Sequence, residues 1–268
     1  QVYRGLDIGT AKPSLEEQQR IQHHLIDVSE LTESFDAARF CQLATIALKE
    51  IQGRGHVPIF CGGTGLYFKA FLEGLGEAPP SDKNLRAQLE TTPLQSLLEE
   101  LKTSDPITYE KIDRQNPRRV VRAIEVIRLT GKPYSAQRAR WTAPEQNQSP
   151  NLFGLQRDPA DLRERIDRRV DEMFRNGLVE ETRRLLDSGL ERNPTAMQAI
   201  GYRQVVEHLK GERSLPETIE LVKIKTRQFA RRQMTWFRRQ LNLQWLTLER
   251  GEAISETANK LFERIQKR

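Results

Sequence analysis

Apolar and polar positions change rhythm several times along the 268 residues, and each change predicts an element. HHLIDV (23–28) and VPIFC (57–61) are short apolar runs that predict buried strands. Between them, SFDAARFCQLATIALKEIQGRG has helical spacing, with Ser34 as its N-cap and Gly53 and Gly55 at its end. Strand, helix, strand predicts a parallel α/β unit. Its right-handed crossover puts the loop 62–65 at the carboxyl end of the second strand, where open sheets bind ligands. GEAPPSD (76–82) breaks the pattern, and only short amphipathic helices follow, at 83–90, 94–102, 106–112 and 117–129. The last has Asn116 as cap and Pro117 at its first position. A polar stretch then runs to Pro150, and NLFGLQ (151–156) resumes as a strand. Helices at about 160–175, 178–188, 202–210 and 216–240 precede a strand, NLQWLTL (242–248), and a final helix, 252–267. The organisation expected is an α/β core from 1–80 and 144–268 with a helical insertion at 81–143.

Composition narrows the class. Hydrophobic residues make up 37% and charged residues 30%, polar for a globular chain but too apolar for disorder. No apolar run approaches the roughly 18–20 residues that span a bilayer, so no membrane partner is expected. Cys41 and Cys61 fall in an apolar helix and an apolar strand, which predicts two buried thiols and a reducing, cytoplasmic setting. Charge is concentrated. Residues 223–239 hold seven Lys/Arg and no acid, and residues 117–140 hold seven against Glu125 alone. These segments carry +7 and +6 against a total of +6, so the remainder is −7. Such a distribution points to a polyanion, nucleic acid first, although solvated helix faces also carry charge runs.

Five stretches have the residue types for chemistry. GGTGLY (62–67) follows a predicted strand and opens a helix, so its N–H groups favour anions and Thr64 adds a hydroxyl; it is not a Walker A loop, since no Lys-Ser/Thr pair follows. RGLDIGTAKP (4–13) sets Arg4, Asp7, Thr10 and Lys12 on a loop kinked by Gly5, Gly9 and Pro13. On the helix 216–240, Ile219, Val222, Phe229 and Trp236 form one stripe and Arg227, Arg231, Thr235 and Arg238 another. That basic row is about 16 Å long, enough to follow several phosphates. Arg118, Arg119 and Arg122 crowd the first turns of a helix, where positive charge opposes the helix dipole at about a few tenths of a kcal/mol each. In AIGYRQV (199–205), Arg203 is placed to reach a phosphate and Tyr202 to stack. His23 and His24 would face opposite sides of a strand and read as structural; Asp27 reads equally as a turn former.

QVYRGLDIGTAKP, HHLIDV, GRGHVPIFCGGTGLYFKAFLEGL, DPITYEKIDRQNPRRVVRAIEVIRLTGKP, AIGYRQ and TRQFARRQMTWFRR stand in an order that resembles the tRNA dimethylallyltransferases of bacterial type, from Gln1 to about Leu248. The resemblance implies a P-loop-kinase-like α/β fold, a parallel sheet flanked by helices, with a helical insertion over the anticodon stem-loop. It implies transfer of a dimethylallyl group from dimethylallyl diphosphate to N6 of adenosine 37 in tRNAs reading codons that begin with U, assisted by Mg²⁺, in a monomeric cytoplasmic enzyme. By matching positions it implies tRNA contacts from Gln1, Thr64 and Arg86, from the segment Arg118, Arg119, Val120, Val121 and Arg122, and from the segment Gln198, Ala199, Ile200, Gly201, Tyr202 and Arg203. A further segment comprises Arg231, Arg232, Gln233, Met234, Thr235, Trp236, Phe237 and Arg238. Thr10, Lys12 and Thr64 would line the channel where the substrates meet, and Arg203 would also hold diphosphate.

The resemblance also implies a strand, a Walker-A-like loop that binds the diphosphate, a helix and an Asp-Ser pair directly before the position of Gln1, the Asp being the general base on N6. On that expectation the chain as given binds RNA but does not transfer the prenyl group. Two other readings of the motifs stay open: a P-loop kinase of a nucleotide or small metabolite, and a non-catalytic RNA-binding module.

Overall fold

A computed structural model describes residues 1–139, 141 and 151–266. Arg140 of the second basic segment, the polar residues 142–150 and the end of the last predicted helix at 267 lie outside the described residues. In chain order the helices are α1 (Leu15–Arg20), α2 (Ala37–Gly53), α3 (Gly65–Glu73), α4 (Lys83–Thr91), α5 (Leu94–Ser104), α6 (Pro106–Lys111), α7 (Pro117–Thr130) and α8 (Tyr134–Gln137). Strand β1 (Phe153–Arg157), helices α9 (Pro159–Arg175), α10 (Leu178–Asp187), α11 (Tyr202–Leu209) and α12 (Leu215–Gln240), strand β2 (Gln244–Leu248) and helix α13 (Ile254–Gln266) complete the chain. Two compact units result, Gln1–Tyr67 with Ala143–Arg268, and Phe68–Thr142.

In the first unit β1 and β2 pair in parallel, Phe153 opposite Gln244 through Arg157 opposite Leu248. A parallel pair needs a long crossover, and α9 to α12 supply it. Asp158 caps α9 by accepting from the N–H groups of Ala160 and Asp161, with Pro159 as the first helical residue. At the start of α12, Glu217 reaches back to the N–H of Ser214 at 3.0 Å. The main core gathers Tyr3, Leu6, Leu31 and Phe35 with Leu178, Leu190, Tyr202 and Val205. A smaller cluster of Ile166, Val170 and Val222 joins α9 to α12. The second unit packs α4, α5 and α7 around Leu89, Leu97, Leu101, Val120 and Ile124.

Several expectations are corrected. HHLIDV is not a strand: Leu25 and Asp27 have φ of 62° and 53°, a left-handed backbone that no strand accommodates. Pairing begins only one residue beyond the segment, where Ser29 bridges Tyr3 in parallel. VPIFC forms no strand either, and Val57 and Ile59 are 83% and 81% exposed. Its apolar pattern suits a ladder, but no strand lies beside it among the described residues. Consequently Cys61 is exposed and Cys41 only half-buried, not two buried thiols. Asp36, not Ser34, caps α2 by accepting from Arg39 N–H at 2.9 Å, since Ser34 lies two residues too early. Asn116 precedes α7 but its side chain makes no capping bond.

Candidate functional site

The loop 4–13 is pinned from two sides. Lys12 Nζ, almost fully buried, meets Asp7 and Asp27 at 2.5 Å each and the Tyr3 carbonyl at 3.2 Å. The left-handed turn that undoes the strand at 25–27 is what delivers Asp27. Thr10 donates to the Leu6 carbonyl at 2.6 Å, and Gln1 Nε2 donates to the carbonyls of Thr10 and Ala11 at 3.0 Å. On the opposite side Gly9 lies against Tyr202, whose hydroxyl accepts the Gly9 N–H at 3.1 Å and donates to Glu181 at 2.6 Å. Tyr202 is therefore a core residue with no exposed surface, which corrects its expected role as a stacking platform for a base. The rest of its segment is mixed. Gln198 is exposed and folds onto the Pro194 carbonyl, Ile200 packs on the α9–α12 cluster, and Gly201 turns the chain at φ 104°. Arg203 leaves this turn outward, two-thirds exposed, bonded to Glu207 at 3.1 Å. A hydrogen bond from Arg213, with Arg203 adding to it, holds the Glu207 carboxyl below the usual range. An exposed pair of this kind is weak, so Arg203 is readily drawn to another anion.

The GGT turn is locked to α12. Gln233 Nε2 donates to the Gly63 carbonyl at 3.0 Å, and the Trp236 ring lies against Gly65 at the start of α3. A Cβ at Gly63 would sit 2.0 Å from Gln233 Nε2, and one at Gly65 2.1 Å from the Trp236 ring. The close approach of α12 demands glycine at 65, where the neighbour is a rigid ring, while a Cβ at 63 would displace the flexible end of Gln233. Thr64 accepts at its carbonyl from Tyr67 N–H at 2.9 Å, the first bond of α3. Trp236 also meets Phe237 edge to face, with ring centroids 5.3 Å apart.

The basic face of α12 divides. Arg227 binds Asp167 at 3.0 Å and Lys223 binds Asp171 at 2.8 Å, both acids from α9. The apparent lack of acidic partners across 223–239 was local to the sequence; α9 supplies them. Arg231, Arg232, Thr235 and Arg238 point to solvent, and Arg231 makes no ion pair among the described residues. Arg238 donates to Gln156 of β1 at 3.0 Å and lies over the Trp245 ring of β2. Arg232 lies over Phe229, which is 41% exposed and so departs from the expected apolar stripe. Met234 is half-buried.

In the second unit the cluster 118–122 also divides. Arg118 and Arg119 are exposed, while the side chains of Val120 and Val121 are core and present nothing to a ligand, a correction to their place in the expected contact segment. Arg122 is compensated: it binds the fully buried Glu125 at 2.6 Å, which also binds Arg86 at 2.7 Å and accepts from Ser81 at 2.7 Å. Burial pushes the Glu125 carboxyl up, but the bonds from Ser81 and Arg122 and the charge of Arg86 outweigh it, leaving it below the usual range. The cost against the helix dipole is therefore met for Arg122 by Glu125, one turn along the same helix.

The model of the IPP transferase family matches residues 1–240. The chain belongs to that family. It is 43% identical to tRNA dimethylallyltransferase 1 of Trichlorobacter lovleyi over 97% of this chain and 87% of that protein. It is 44% identical to the tRNA dimethylallyltransferase of Geobacter metallireducens over 92% of this chain and 81% of that protein. Among solved structures it is similar to the full-length tRNA isopentenylpyrophosphate transferase of Bacillus halodurans, with a TM-score of 0.67 and 38% identity, covering 100% of this chain and 86% of that one. It is also similar to a eukaryotic dimethylallyltransferase acting on tRNA, with a TM-score of 0.73 and 25% identity, covering 98% of this chain and 71% of that one. These likenesses bear out the resemblance carried by the motifs and the α/β, P-loop-kinase-like class of fold.

Sequence reasoning missed Glu181, Asp167, Asp171 and the part played by Glu125. None stands in a Gly-rich or basic motif, and the only signal was an acid at a helical position facing a core. No helix is long and apolar enough to cross a membrane among the described residues. Among them, too, no three His, Cys, Asp or Glu side chains converge on a metal-sized point.

Proposed function

We propose that this protein modifies tRNA by prenyl transfer, moving a dimethylallyl group from dimethylallyl diphosphate to N6 of adenosine 37 in tRNAs that read codons beginning with U. The reaction forms an N6–carbon bond, breaks the allylic carbon–oxygen bond, releases diphosphate and passes one proton from the amine to a base or to solvent. An exocyclic adenine amine is a weak nucleophile, because its lone pair is delocalised into the ring. The allylic carbon must therefore develop cationic character as the diphosphate departs, and the departing charge needs fixed donors and cations. Thr10 and Thr64 line the meeting point of the substrates, with the buried Lys12 bracing the loop from within, and Arg203, loosely held at the surface, takes the diphosphate. Mg²⁺, bound with the diphosphate, would neutralise part of its departing charge.

The observation that carries the reading is the lock between Gln233 and Gly63, with Trp236 on Gly65. It ties the loop that meets the substrates to a helix whose outward face carries Arg231 and Arg238. Those arginines track phosphates of an anticodon stem-loop while the target base leaves its stack, and the helical unit carries exposed arginines of its own, Arg118 and Arg119, for the same RNA. The protein works as a cytoplasmic monomer. Radiolabel decides: label from the prenyl group appearing in tRNA supports the reading, and label passing from the γ-phosphate of ATP to a small acceptor overturns it.

A further inference from the structure

Two motifs far apart in sequence, DIGTAK at 7–12 and GYR at 201–203, meet on a carboxylate that neither contains. Glu181 lies in the first turns of α10 and is 4% exposed. It accepts the Ile8 N–H at 3.0 and 3.1 Å on its two oxygens, and the Tyr202 hydroxyl at 2.6 Å. The Gly9 N–H lies 3.5 Å from one oxygen and is taken at 3.1 Å by the Tyr202 hydroxyl. A Cβ at Gly9 would stand 2.5 Å from the Tyr202 ring. Burial and the bond to Glu181 push the Tyr202 phenol far above its ordinary range, so it stays a donor at every working pH. Among the described residues Glu181 forms no ion pair.

A buried carboxylate without a cation is costly and is sustained only by fixed donors. Here those donors are the backbone of one loop and the single side chain that braces it. Surface turns are ordinarily set by their own glycines and Asx bonds, without such an expense. The far side of the same loop is held separately, by Lys12 with Asp7 and Asp27.

We propose that Glu181 is a positioning residue for prenyl transfer: with Tyr202 as its bridge, it fixes the backbone of Ile8 and Gly9 so that Thr10 is held in place beside the substrates. The inference rests on the reading of this loop as part of the reaction site.

Glu181→Gln in the full chain keeps the shape but turns one oxygen into an NH₂ donor, which cannot accept. Amide hydrogen exchange at Ile8 and Gly9 should rise about tenfold or more, while Leu185 on the same helix changes less than about twofold. In steady-state prenyl transfer kcat should fall about tenfold or more, with KM for tRNA within about twofold. Tyr202→Phe should fall less, and the double variant no further than Glu181→Gln alone. If Glu181→Gln does not fold, the same two readouts on Tyr202→Phe decide. Unchanged exchange at Ile8 and Gly9 overturns the proposal whether or not the enzyme is active. Loosened amides with an unaltered kcat overturn it as well. A wild-type protein that moves no label to tRNA overturns the functional reading first, and the exchange data still judge whether Glu181 holds the loop.

Discussion

Gln233 and Gly63 are joined by one hydrogen bond across 170 residues of sequence, and the amide that makes the bond occupies the space a side chain at 63 would take. Gly65→Ala would drive a methyl into the Trp236 ring, and it should cost about 1–3 kcal/mol as overpacking. Gly63→Ala meets only the far end of a flexible side chain, so it should cost less in stability while displacing Gln233. Urea unfolding of the two variants checks the order; a larger loss for Gly63→Ala contradicts it.

The division of the basic helix predicts two classes of arginine. Replacing Arg231 or Arg238 by Ala should lower the log–log salt slope for a single-stranded anticodon loop by about 0.7 each. Arg227→Ala should leave that slope alone and reduce stability, because Arg227 belongs to Asp167. Filter binding at several salt concentrations, with thermal melts of the same preparations, separates the classes.

Glu125 predicts an acid response of the helical unit. Its folded carboxyl titrates below the ordinary 4.5, so its contribution to stability is complete above that value and is lost as the pH falls through the lower folded value. Glu125→Ala should cost about 3–5 kcal/mol at neutral pH, because Arg86 and Arg122 lose the carboxylate that balances them. The gap between the wild type and the variant should shrink in acid. Melts from pH 7 to pH 3 measure it, and a gap independent of pH contradicts the assignment.

Lys12 gives a test of a different kind. Its ammonium stands between two carboxylates with its stem buried, so Lys12→Met should cost about 2–4 kcal/mol and loosen the segment carrying Asp27. A variant of wild-type stability would mean that the pairing contributes nothing to the fold. Thermal unfolding at low ionic strength gives the answer.

Much of this architecture was legible beforehand. The helices of 83–130 and 159–240 followed from spacing and Pro117, and the strands near 153 and 244 from apolar runs bounded by turns. The misplaced strands at 23–28 and 57–61 show the limit. Apolar residues suggest a ladder, but a ladder exists only if neighbours pair, and backbone handedness at Leu25 and Asp27 is not written in hydropathy. Among site residues the motifs located the loops and the arginines. What they left out were the acids that govern those groups. Asp167 and Asp171 lie some 50 to 60 positions before the cations they neutralise, and Glu181 lies 21 before the tyrosine it holds. Only the packing of helices brings them together, and charge counted along a window does not register it.

The contact of Gly9 with the ring of Tyr202 ties the histories of two distant codons. A side chain larger than hydrogen at the first site is admissible only after the second has surrendered its aromatic ring, so the order of substitution matters. Random libraries that vary position 9 alone will return dead clones, and those that vary both together will find the accommodating pairs.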